Sequence, residues 1–282
     1  MEKEHLADVV CKCLGLECPE PDIKDWEDMV YALKNPKKSV KVALVGKYTA
    51  LHDAYISVVE SLKHGAVASN ASVDIKWIPS EDLTEDNVED MLGDVSGIIV
   101  PGGFGDRGID GKILAIKYAR ENKVPFLGLC LGMQLSIVEF ARHVCGFTDA
   151  HSVELNPSTT HPVIHLMPEQ DGIEDIGGTL RLGAYPCILK EGTKSAEVYK
   201  STEISERHRH RYEVNNYYRD DLKKNGMVIA GTSPDGRIVE MVELKDHPWF
   251  VATQAHPEFK SRPNRPHPLF AGFIKSALEL NK

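Results

Sequence analysis

The chain has 282 residues, 33 Lys and Arg against 42 Asp and Glu, a formal net charge of −9 and a pI near 5.7. With 42% hydrophobic and 27% charged residues it has the balance of a globular protein, long enough for one large domain or two small ones. An acidic chain is a poor match for nucleic acid, which is bound by Lys and Arg neutralising phosphates, and no stretch reaches the ~20 apolar residues of a membrane span.

The start, MEKEHLADVV, carries charges where a signal peptide needs an apolar core, so the expectation is a cytoplasmic, reducing compartment and six free cysteines. Leu6, Val9, Val10, Cys13 and Leu14 recur at helical spacing until Gly15, and Ile23, Trp26, Met29, Val30 and Leu33 do so after Pro19 and Pro21. The run Asn35-Pro36-Lys37-Lys38 reads as a linker. Beyond it, strands are expected at 40–45, 73–78, 97–100 and 124–129, alternating with helices at 53–68, 86–92, 110–121 and 133–144. Apolar strands separated by helices are what a parallel sheet covered on both faces requires. Further strands are read at 209–214, 227–231, 237–243 and 250–254, with a closing helix at 268–280.

Several motifs carry chemistry. Gly46-Lys47 lacks the glycine and hydroxyl spacing of a P-loop. Gly103-x-Gly105-x-x-Gly108 follows a strand as in dinucleotide sites, but the next strand ends in Leu129-Cys130 rather than in the acid that would bind ribose. Pro101-Gly102-Gly103 is better used as a side-chain-free turn that offers a backbone N–H to an oxyanion. In Gly128-Leu129-Cys130-Leu131-Gly132 an apolar strand runs through a glycine-flanked cysteine straight into a helix, the pattern of a nucleophile elbow. A helix N-terminus there favours thiolate, although a buried structural cysteine is the alternative. Cys11-x-Cys13-x4-Cys18 lacks a fourth nearby metal ligand.

A nucleophilic cysteine needs a base. His256 closes a strand, Pro257 stiffens the chain, and Glu258 stands two residues on, where a carboxylate can hold the imidazole's tautomer. In Glu206 to Asn216, strand alternation places Arg207, Arg209 and Arg211 on one face and His208, His210 and Tyr212 on the other. One such arginine is suited to a substrate carboxylate.

Gly-Leu-Cys-Leu-Gly-Met-Gln at 128–134, Pro-Gly-Gly-Phe-Gly at 101–105 and His-Pro-Glu-Phe at 256–259 resemble the triad-type, class I glutamine amidotransferases. Val45-Gly46-Lys47-Tyr48, Asp53-Ala54-Tyr55, Glu206 to Asn216 and His247-Pro248-Trp249-Phe250 are similar to the glutaminase domain of the CTP synthases, with a likeness from Val40 to about Leu280. The resemblance implies an α/β fold with a mostly parallel central sheet, helices on both faces and additional strands in the C-terminal half. It implies a glutaminase domain at 39–282, preceded at 1–38 by a helical tail and linker of a synthetase domain absent from this chain. It also implies Cys130 as nucleophile, His256 as base and acid, Glu258 as its orienter, and Gly103 and Leu131 as oxyanion donors. Phe104, Gln134, Glu154 and Arg211 would bind L-glutamine, Glu154 facing the α-ammonium and Arg211 the α-carboxylate. No cofactor or metal is implied in this domain. The family's full enzyme uses ATP and Mg, is activated by GTP and is a homo-oligomer, and the stretch 104–111 is the candidate for coupling to GTP. No CTP synthesis is expected from this chain alone. The rival readings are a γ-glutamyl peptide hydrolase of the same fold, a nucleotide-binding regulatory module and a non-catalytic interaction domain.

Overall fold

The computed structural model describes residues 2–17, 19, 21–166 and 181–280. Helices α1 (Leu6–Leu14) and α2 (Lys24–Lys34) open the chain, and Gly15, at φ 63°, ends the first. Neither makes a core: α1 buries no residue and α2 buries only Ala32.

An alternating series then follows: β1 (Lys38–Gly46), α3 (Ile56–Ala68), β2 (Ala71–Pro79), α4 (Val88–Leu92), β3 (Gly97–Val100), α5 (Ile109–Glu121), β4 (Phe126–Leu129) and α6 (Leu131–His143). The strands β3 and β4 are buried throughout, as apolar runs between two helical layers must be. The second half contributes β5 (His151–Ser152), β6 (Pro162–Leu166), β7 (Arg181–Leu189), α7 (Lys194–Tyr199), β8 (Glu203–His210), β9 (Tyr212–Val214) and α8 (Arg219–Lys224). β10 (Met227–Thr232), β11 (Val239–Leu244), β12 (Phe250–Thr253) and α9 (Pro268–Leu280) complete it.

Among the described residues one nine-stranded sheet runs in the order β2-β1-β3-β4-β12-β11-β10-β7-β8. From β2 to β12 its strands are parallel, and from β12 to β8 each pair is antiparallel. The α/β architecture with added C-terminal strands is the one expected. Phe270, Phe273 and Ile274 of α9 pack with Leu62 of α3 on one face, while Ile113 and Ile116 of α5 pack with Leu135 and Val138 of α6 on the other. A smaller sheet, β5-β6-β9, stands apart.

Several boundaries differ from expectation. β1 opens at Lys38, which the sequence assigns to the linker. The helix expected from Asp53 begins at Ile56, because residues 52–55 form a 3-10 turn. The strand expected at 209–214 is two strands in two sheets: β8 ends at His210, Arg211 turns the chain, and β9 joins the small sheet.

In open α/β sheets ligands bind beyond the carboxyl ends of the parallel strands. The segments leaving β1, β3, β4 and β12 are Lys47-Tyr48, the glycine turn from Pro101, Cys130, and Gln254 to His256. All motifs singled out in the parallel half therefore lie at one end of the sheet.

Candidate active site

Cys130 sits between β4 and α6 with φ 50° and ψ −101°, a backbone strain rare outside glycine and characteristic of a nucleophile presented at an elbow. The flanking glycines permit it through close packing. A Cβ on Gly132 would lie 2.1 Å from the Val100 carbonyl oxygen, and one on Gly128 would lie 2.9 Å from the Gly132 backbone. The thiol is buried, its residue 5% exposed, and the Leu131 N–H belongs to the first turn of α6, where helical amides lack an internal acceptor.

β12 lies parallel to β4, with Thr253 opposite Leu129, and the Cys130 N–H donates to the Thr253 carbonyl at 2.8 Å. That register brings His256 beside the elbow. Its backbone N–H donates to the Arg207 carbonyl at 2.7 Å, and its Nδ1 is 2.7 Å from Glu258 Oε1. A Cβ on Gly102 would be 2.9 Å from His256 Cε1 and 3.5 Å from Cys130 Cβ, so turn, thiol and imidazole converge. Burial opposes protonation of His256, but Cys130 and Glu258 outweigh it and raise its pKa to about 10. The arrangement can hold a thiolate–imidazolium pair.

Gly103, Phe104, Leu131, Gln134, Glu154 and Arg211, the residues expected to bind substrate, all line one cavity of about 370 Å³ that opens onto Cys130. Burial lifts the Glu154 carboxyl above its ordinary pKa, and Arg211 pulls it down. Gln134 Nε2 donates to the Tyr212 carbonyl at 3.1 Å and to Gln254 Oε1 at 3.3 Å, and Gln254 Nε2 lies 3.6 Å from Cys130 Sγ. Arg209, His210 and Tyr212 complete the wall. Gln254 escaped the sequence reading, although its place two residues before His256 on a strand beside the elbow was a usable signal. Of the basic stretch, Arg207 and Arg209 are exposed while His208 and His210 are buried, as the alternation requires; Arg211 reaches the cavity from the turn after β8.

A second cavity, of about 390 Å³, meets the first at Gly103, Phe104, Cys130 and Arg209 and is lined on its far side by Tyr48, Asp53, Tyr55 and His256. Phe104 separates the two and is 59% exposed, with the Arg209 guanidinium over its ring at 5.8 Å. Lys47 Nζ donates to the Phe104 carbonyl at 3.2 Å. Beneath the turn, Lys112 is 2% exposed, its Nζ 3.8 Å from where a Gly103 Cβ would stand. Burial, then Lys47 and Arg107, lower its pKa to about 8, which leaves it a buried cation at neutral pH.

Among the described residues no group of three or more His, Cys, Asp or Glu is placed to hold a metal ion. Cys11 and Cys13 lie on α1, and Cys18, the third member of their motif, falls outside the described residues. No helix among the described residues is long and apolar enough to cross a membrane.

An elbow cysteine, a carboxylate-held histidine and a glycine turn above one cavity are the parts of a thioester-forming amidohydrolase. The class-I glutamine amidotransferase family matches residues 50–276, and the chain belongs to that family. More particularly, the chain is 61% identical to a CTP synthase of Clostridium beijerinckii, over all of this chain and 53% of that protein. It is 57% identical to a CTP synthase of Bacillus velezensis, over 99% of this chain and 52% of that one. The chain thus spans about half the length of the curated relatives it matches. Among solved structures it is similar to the glutaminase domain of a Trypanosoma brucei CTP synthase with bound acivicin. The TM-score is 0.81 at 39% identity, over 85% of this chain and 94% of that one.

Proposed function

We propose that this chain hydrolyses L-glutamine to glutamate and ammonia through a cysteine thioester. The observation that carries the reading is the convergence of Cys130, the Glu258-held His256 and the glycine turn where the two cavities meet. The Cys130 thiolate attacks the side-chain amide carbon, and the oxyanion is received by the Gly103 and Leu131 N–H groups. His256 protonates the leaving ammonia, then takes a proton from the water that cleaves the γ-glutamyl thioester, while Glu258 keeps its ring in place. Arg211 takes the α-carboxylate and Glu154 the α-ammonium, with Phe104 and Gln134 closing the site.

The relatives' size and names support a larger assignment: residues 39–282 act as the glutaminase unit and residues 1–38 as a helical connection to a synthetase domain. That domain would use ATP and Mg to aminate UTP with the ammonia made here, in a cytoplasmic homo-oligomer. The second cavity, which Cys130 and His256 line, offers the released ammonia a way out. GTP would act through 104–111, where exposed Phe104 offers a ring to stack on and Lys47, Arg107 and Arg209 offer charge.

The test is glutamate and ammonia release from L-glutamine compared with a γ-glutamyl peptide. Release from glutamine, lost in Cys130→Ala and inhibited by acivicin, is the expected result; hydrolysis of the peptide alone would reassign the substrate.

A further inference from the structure

Behind the cavity wall lies a buried polar cluster that the proposed chemistry does not use. Arg181 begins β7, His208 and His210 belong to β8, Glu213 to β9 and Glu240 to β11. His208, His210, Glu213 and Glu240 are each 3% exposed or less. Arg181 donates to Glu240 Oε1 at 2.7 Å and is 3.8 Å from Glu213 Oε1. The two imidazoles are joined, His208 Nδ1 to His210 Nε2, at 2.9 Å. Five further atoms are buried without a hydrogen-bond partner: Glu213 Oε2, and two pairs that face one another, His208 Nε2 at 3.6 Å from Glu240 Oε2 and His210 Nδ1 at 3.3 Å from Glu213 Oε1.

One guanidinium cannot neutralise two buried carboxylates, and leaving both facing pairs of buried polar atoms unpaired is costly. Two proton orders make each facing pair a donor and an acceptor, and the contact of Arg181 with Glu240 chooses between them. Glu240, in contact with Arg181, is the ionised acid, and Glu213 carries a proton. Glu213 O–H then donates to His210 Nδ1, His210 Nε2–H to His208 Nδ1, and His208 Nε2–H to Glu240. The cluster is neutral as a whole, each facing pair becomes a donor facing an acceptor, and Glu213 Oε2 is the oxygen left over. Burial raises both acids, Glu213 well above its ordinary pKa, while on Glu240 the Arg181 charge and hydrogen bond both work against the rise; burial also keeps both histidines neutral, His208 at about 3. The opposite order would put the proton on Glu240, the acid that already receives Arg181.

The position of this chain of groups gives it a task. Arg211 is bracketed in sequence by His210 and Glu213, so fixing those two fixes the turn between β8 and β9. The same strand holds the Arg207 carbonyl on the His256 N–H and the Arg209 carbonyl 3.9 Å from Cys130 Sγ. We propose that Glu213, His210, His208, Glu240 and Arg181 form one directional hydrogen-bond relay, with its proton on Glu213, that positions Arg211 and so sets affinity for glutamine. This rests on the glutaminase reading for its ligand, though not for its proton order.

The experiment has two arms. Long-range ¹H–¹⁵N NMR of the intact chain at pH 7 should show His208 and His210 neutral and both protonated at Nε2. A ring protonated at Nδ1, or a cationic ring, overturns the relay whatever the ligand. In a Cys130→Ala background, glutamine Kd is measured by calorimetry. Glu213→Gln keeps a donor facing His210 and should leave Kd within about twofold. Glu240→Gln, which strands Arg181 and breaks the order, should weaken binding about tenfold, as when one charge-assisted hydrogen bond to the ligand is lost. The reverse ranking, or equal effects, overturns the proposal, and should Glu240→Gln fail to fold, a tenfold loss in Glu213→Gln does so by itself. If the Cys130→Ala chain binds no glutamine, the glutaminase reading fails and the tautomers alone decide the relay.

Discussion

Burying Lys112 as an ammonium is expensive, and the site gives the reason to keep it: a cation beneath the turn that would receive the oxyanion. A fall from the ordinary 10.5 to about 8 means the folded chain binds fewer protons than the unfolded one between those values. Stability therefore rises as pH increases through that window, and the penalty at pH 7 is about 3 kcal/mol. Lys112→Met should raise Tm at pH 7, with the gain shrinking by pH 10, while kcat falls about tenfold through loss of electrostatic support for the transition state. A variant neither more stable nor slower contradicts this role. Arg211→Ala should instead raise KM and leave kcat nearly unchanged, because a carboxylate contact is alike in ground and transition states. Cys130, His256 and Glu258 were legible from sequence because each stands at fixed spacing from a glycine or proline that shapes its turn. Lys112 was not, since burial of a lysine on an amphipathic helix leaves no mark on the pattern of residues around it.

Elements set the site's tolerance to change. Gly132 and Gly103 flank the same chemistry, yet α6 packs onto the Val100 carbonyl at Gly132, whereas a Cβ at Gly103 would meet nothing nearer than the side-chain ends Leu131 Cδ2, at 3.5 Å, and Lys112 Nζ, at 3.8 Å. Gly132→Ala should cost about 1–3 kcal/mol of overpacking, and even a ~1 Å shift of the elbow can lower the rate ~10²-fold. Gly103→Ala should leave Tm within about 1 °C, a small surface-like effect. Thermal melts and glutamine turnover of the pair check this, and equal damage in both would refute the packing argument. The parallel strands could be read because they are apolar runs between helices. β7 could not: Gly183 and Pro186 mimic loop composition, and its residues alternate in burial along most of its length. The change of sheet at Arg211 was equally hidden, because the alternation of β8 continues in sequence through a bend that has neither glycine nor proline.

At the scale of the whole molecule, the two halves of the large sheet divide the work. The parallel half presents the Cys130 elbow, the glycine turn and His256, and the antiparallel half supplies β8, whose turn carries Arg211. Glutaminase activity should accordingly depend on what holds Phe104 and Arg209, the exposed pair between the two cavities. Ammonia release should rise when GTP and a separately expressed synthetase domain are added together; a rate indifferent to both would dispose of the proposed coupling. The central claim, that Cys130 is the nucleophile of a glutamine-specific site, is tested most directly by mass spectrometry after treatment with a diazo-ketone analogue of glutamine. Burial holds the Cys145 thiol up at about 11 and Cys187 higher still, and Cys11 and Cys13 on α1 lie far from the cavity in sequence and serve as controls. A single adduct on the Cys130 peptide, suppressed by excess L-glutamine, is the predicted result. Labelling spread over Cys145, Cys187 or the α1 cysteines, or labelling of Cys130 that glutamine does not suppress, would contradict it.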